Sequence, residues 1–217
     1  MTAYTVIGLI VPVAASADIV IKSGYGRTQT VIEASIHYDD LGKDDVDWPA
    51  IKHFDENGQP VDYEGDTQLG EVVMKLDNKT ALACAVLGKG YDLQTVPDSS
   101  GAPIMLPTGQ PFVVPGHLRH VVTCSGPSGS SELSRLSTDG DTLVSFSPVA
   151  YPCKWAVTEI MYVKAPQLTV GPVTVPGNTG PLFEDVTGGT LTVKGTINAC
   201  TGQNVFTSIT GTLQTAP

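Results

Sequence analysis

The sequence predicts an all-β protein, an antiparallel β-sandwich or jelly-roll-like domain with few short helices and a C-terminal β-hairpin extension. Three observations carry this expectation. Wherever a hydrophobic period can be read it is two, the period of a strand that buries one face. The 23 Gly and 16 Pro punctuate the chain every few residues, which suits short strands and turns and disfavours long helices. Charged residues are only 16% against 41% apolar, so Thr, Ser, Gly, Asn and Gln must cover much of the surface, as on the wet face of a sheet.

The first element has two competing readings. A first strand over 4–13 competes with a secretory signal, for which residues 5–13 are apolar enough to be the hydrophobic stretch and Ala15-Ser16-Ala17 has the small-x-small form of a cleavage site. A signal also needs a basic start, yet the first Lys or Arg is Lys22. Gly8 and Pro12 interrupt the stretch, and it is far short of the ~20 apolar residues that span a bilayer. The expectation is therefore a first strand, with neither leader nor membrane anchor.

Further strands are predicted over 18–23, 28–37, 71–76, 119–124, 142–147, 155–164, 190–200 and 205–213, each bounded by Gly, Pro, Asp or Asn. In the last two, Leu191, Val193, Ile197 and Ala199, then Val205, Ile209 and Leu213, share one parity, and "CTGQNV" supplies the turn of a C-terminal hairpin. Helical turns are expected only at 49–54, after an Asp47 cap, and at 131–136, opened by Ser131. In "DNKTALACAVLGKG", Asp77 could cap a helix ending at Gly88, or Asp77-Asn78-Lys79 could turn a hairpin; the clear strand before it favours the hairpin. Pro166, Pro172, Pro176 and Pro181, with Gly between them, read as an extended connector. The chain thus divides into a core domain over 1–165, with an acidic insertion at 39–66, and a connector plus hairpin over 166–217.

Candidate chemistry is sparse. Residues 39–66 hold ten acidic side chains against Lys43 and Lys52, most of the formal net charge of −10. Dense like charge of this kind marks a solvated, self-repelling surface loop. If it takes a ligand, calcium is the candidate, with Asp55, Asn57 and Asp62 as ligands. The EF-hand pattern fails, because Pro60 stands where that loop needs Gly. In "PGHLRH", His117 and His120 are three apart; in a strand they point to opposite faces, which argues against a shared metal. "CSGPSGSSE" misplaces the second Gly of a nucleophile elbow, and "GKGYD" lacks the length and Ser/Thr of a phosphate loop. Cys84, Cys124, Cys153 and Cys200 show no metal spacing and are expected to be reduced, buried thiols.

No catalytic residue and no cofactor is identified, and an acidic chain with 12 Lys and Arg has no footprint for nucleic acid. Three classes remain. The first is a non-enzymatic structural protein, made in a host cytoplasm and working in a virion, such as a phage head decoration (cement) or tail protein; its partners are copies of itself or a shell or tail protein. The second is a β-sandwich module that binds a ligand or carbohydrate, with secretion as the alternative location. The third is a hydrolase whose site the sequence conceals. No membrane partner and no small-molecule substrate is indicated.

Overall fold

The computed structural model describes residues 18–31, 67–78, 80–125, 132–164, 167–170 and 173–216. The expected strand at 4–13, the helical turn at 49–54 and the whole acidic segment, with Asp55, Asn57 and Asp62, lie outside the described residues. Eleven strands run in order: β1 (Ile19–Val31), β2 (Thr67–Leu76), β3 (Ala81–Thr95), β4 (Val113–Ser125), β5 (Leu133–Ser137), β6 (Thr142–Ala150), β7 (Lys154–Tyr162), β8 (Gln167–Val170), β9 (Val173–Pro176), β10 (Val186–Asn198) and β11 (Gln203–Thr215). Nine form one antiparallel sheet in the order β5-β4-β3-β2-β1-β11-β10-β7-β6, and β8 with β9 makes a separate hairpin. The all-β, antiparallel expectation holds, and the described residues contain no helix.

The sheet curls into a half-barrel, and its packed layers are two sides of the same sheet. Met74 and Leu82 from β2 and β3 meet Leu191 and Leu213 from β10 and β11 in one core with Ile21, Leu136 and Phe183. Each such side chain contributes about 1.5–3 kcal/mol when fully buried. Isolated bridges then stitch the two edges together, as Leu118 pairs with Asp141 and Thr138 with Val163, while Arg135 of β5 pairs with Thr179 in the segment before β10. A second cluster lies apart from the first, where Ile104 and Leu106 pack with Phe112 and Trp155. The Phe146 and Trp155 rings stack at 4.5 Å there.

Local chemistry explains the departures from expectation. The strands expected at 18–23 and 28–37 are one strand as far as Val31, because Gly24 and Gly26 continue the pairing between them. A Cβ on Gly26 would lie 2.4 Å from the Glu71 carbonyl oxygen, so only glycine lets β2 approach this closely. The expected helical turn at 131–136 is instead β5, which pairs with β4 and buries Ser134 and Leu136 on one parity. Between β2 and β3 the hairpin forms as read: Asn78 Oδ1 accepts the Thr80 amide at 2.9 Å, and the Leu76 amide donates to the Thr80 carbonyl. The C-terminal hairpin also forms, but it sits within the sheet, with β11 between β1 and β10 and β10 against β7.

The cysteines are the clearest correction. All four are oxidised, as Cys84–Cys124 and Cys153–Cys200. Register explains the first pair, since Cys84 stands directly opposite Cys124 across β3 and β4, with Cα atoms 4.0 Å apart. The second joins the β6–β7 turn to the β10–β11 turn. An apolar neighbourhood suits a buried thiol and a buried disulfide equally, so composition misled where pairing decides.

Candidate functional site

The site lies where the two edges of the curled sheet meet. Leu118, His120, Val122 and Cys124 alternate inward along β4, which carries the His120 imidazole into the core. Along β7 the buried row is Trp155, Val157, Glu159 and Met161, so Glu159 occupies a position that the strand otherwise fills with apolar side chains. Asp141 precedes β6 and bonds Leu118 through both backbone groups at 2.9 Å. The three side chains are sealed from solvent, with relative exposures of 4% for His120, 0% for Asp141 and 6% for Glu159.

Asp141 is the hub of the arrangement. Its Oδ1 accepts the Tyr162 amide at 2.7 Å, and its Oδ2 accepts the Thr138 hydroxyl and faces His120 Nδ1 at 2.8 Å. One carboxylate therefore ties β4, β7 and the segment after β5, and these charge-assisted bonds are stronger than neutral ones. Thr138 also accepts the His120 amide at 3.1 Å and donates its own amide to the His120 carbonyl. Behind the ring, a Cβ on Gly88 would come within 2.7 Å of His120 Nε2, so glycine leaves the space that the imidazole fills.

Glu159 differs from Asp141 in its bonding. Its Oε1 is buried, lies 3.6 Å from His120 Nδ1 and has no hydrogen-bond partner. Burial pushes its carboxyl up to about 7, against the charge of His120 and with the charge of Asp141. For His120, burial opposes protonation, but the charge of Glu159 and the bond and charge of Asp141 outweigh it and raise the imidazole above its ordinary value. Gln68 Oε1 is likewise buried without a partner, and Gln68, His120 and Glu159 line one cavity of about 30 Å³. Gln68 and Glu159 also face a larger groove of about 710 Å³, walled by Leu106, Phe112, Val157 and Ile197.

Among the described residues, the one group of His, Cys and carboxylate side chains close enough to share a metal ion is His120, Asp141 and Glu159. His117 is not in it. The loop from "CSGPSGSSE" leaves the described residues after Ser125, and "GKGYD" is an interior stretch of β3. Sequence reading passed over Asp141, which looks like a turn residue in "TDGDT", and Glu159. The signal for Glu159 was an acid on the core parity of a clear strand.

Fold and site together define an antiparallel half-barrel closed by a buried ionisable cluster. Comparison of the chain with family models, with curated proteins and with solved structures finds no match.

Proposed function

We propose that the chain is a non-enzymatic structural protein that assembles with copies of itself in a virus particle, as a head decoration or tail protein does. The observation that carries this reading is the β6 edge. Val144 and Val149 are each 56% exposed and Tyr151 is 63% exposed, and apolar side chains left in water along a sheet edge favour a partner. The other edge, β5, is bridged by Thr179, and both sides of the C-terminal hairpin are paired within the chain. Register shifts near Val144 and Val149, together with Pro148, blunt the addition of a strand along all of β6. The contact is therefore side-chain packing of β6 on β6 of a second copy. Two disulfides and a low charge content suit a protein that must endure outside a cell.

Light scattering on the full chain tests this. The reading requires an oligomer that becomes a monomer in Val144→Glu/Val149→Glu with the melting temperature unchanged; a wild-type chain that stays monomeric at high concentration overturns it. A ligand-binding module is the second reading, favoured by the 710 Å³ groove, a volume within the range of about 300–1,000 Å³ usual for ligand pockets. Saturable one-to-one binding of a fluorescent apolar probe by a monomeric chain would select that reading instead.

A further inference from the structure

We propose that His120, Asp141 and Glu159 form a binding site for one divalent transition metal of the zinc class, placed at the seam of the half-barrel. The donor set is an imidazole nitrogen and two carboxylates, which suits zinc and its neighbours, whereas calcium takes six to eight oxygens. Two carboxylates and a neutral imidazole also balance the charge of a dication. Donors held tetrahedrally at zinc distances stand about 3.4 Å apart. His120 Nδ1 and Glu159 Oε1 are 3.6 Å apart, and all three donor atoms fall within 4.8 Å of one another. Nδ1 and Asp141 Oδ2, at 2.8 Å, are at hydrogen-bond distance, which requires a proton on one of the two atoms. Replacing that proton by the ion requires the pair to part by about 0.6 Å to reach the tetrahedral separation.

Three further observations converge on the same ion. Glu159 Oε1 is buried and without a hydrogen-bond partner beside Nδ1, and a carboxylate oxygen left so in an apolar wall is costly unless something binds it. Asp141 is already oriented from behind by the Tyr162 amide and the Thr138 hydroxyl, the kind of support that metal-ligating carboxylates receive. The cavity of about 30 Å³ shared by His120, Glu159 and Gln68 has room for a water as a fourth ligand, and Gln68 Oε1, the other orphaned acceptor, lines it. One ion with its water would satisfy both orphans. The groove that Gln68 and Glu159 also face provides an entry path.

The experiment uses the full chain after chelator treatment. Zn²⁺ added in a calorimeter should bind one to one and raise the melting temperature, and Glu159→Gln, which keeps the shape of the side chain, should weaken binding by at least about tenfold. Co²⁺ supplies a test on the wild type alone: paramagnetic broadening should centre on the amides of residues 118–122, 138–142 and 158–162. Broadening centred on residues 39–66 would move the ion to the acidic segment and overturn the proposal. Absence of binding by Zn²⁺ and Co²⁺ would also overturn it, leaving a buried triad that shares protons.

Discussion

Replacing Asp141 by Ala should open the seam of the half-barrel. The substitution removes an acceptor from the Tyr162 amide at 2.7 Å, from His120 Nδ1 at 2.8 Å and from the Thr138 hydroxyl, all in the interior. A buried group left without its partner costs about 1–3 kcal/mol, and breaking a buried ionic pair from one side costs about 3–5 kcal/mol. Water entering the space vacated by the carboxylate recovers part of the loss, so a net destabilisation of about 4 kcal/mol is expected. For a chain of this length that corresponds to a fall of about 10 °C in melting temperature. Denaturant unfolding with chelator present measures it. Asp98→Ala serves as the control: Asp98 also accepts several bonds, from Ser100 and Ala102, but on the surface, and should change stability far less. Amide exchange supplies the local readout, with Leu118, Asp141 and Tyr162 losing protection first. A cost for Asp141→Ala below about 1 kcal/mol, or one no larger than that of Asp98→Ala, would refute the assignment of Asp141 as the hub.

The metal-free protein should lose stability as pH rises from about 5 to about 8, because between its ordinary 4.5 and its folded value of about 7 Glu159 keeps in the native state a proton the unfolded chain has released. Glu159 alone accounts for about 3 kcal/mol of this loss; His120, also raised, acts with the same sign above its ordinary 6.5, and a Glu159→Gln profile as steep as wild type would contradict the assignment. Gly88→Ala should displace the His120 ring, lowering the melting temperature and shifting the imidazole resonances, and unchanged resonances would show that the ring does not lie over Gly88. Thiol titration of the unfolded, unreduced chain should find no free cysteine. Reduction should remove on the order of 4 kcal/mol for each bridge, whose cysteines are 40 and 47 residues apart; four titratable thiols before reduction would restore the reduced reading.

Local pattern in the sequence carried the strands, since a period of two survives in β7, β10 and β11 whatever their partners. It carried the β2–β3 hairpin too, through Asp77 and Asn78. The sheet order was not legible, because pairing β1 with β11 joins the two ends of the described chain and depends on contacts no local window contains. The same limit hid the disulfides: Cys84 and Cys124 look like isolated apolar cysteines until β3 and β4 are in register. The site was half visible. His120 stood out beside His117, but Asp141 and Glu159 reach it only when the sheet curls far enough to bring β4 against β6 and β7. Residues 131–136 failed for a different reason, since Ser followed by Glu resembles a helix start while β4 offers that segment a free edge.

Hydrogen exchange along β6 tests the proposed assembly most directly. Wild type and Val144→Glu/Val149→Glu are compared at one high concentration, where both keep the same fold. Contact between copies predicts that the amides of residues 143–150 exchange more slowly in the wild type than in the variant, while those of β10 and β11 exchange alike. Equal rates along β6 in the two proteins would contradict the contact and, with it, the structural role.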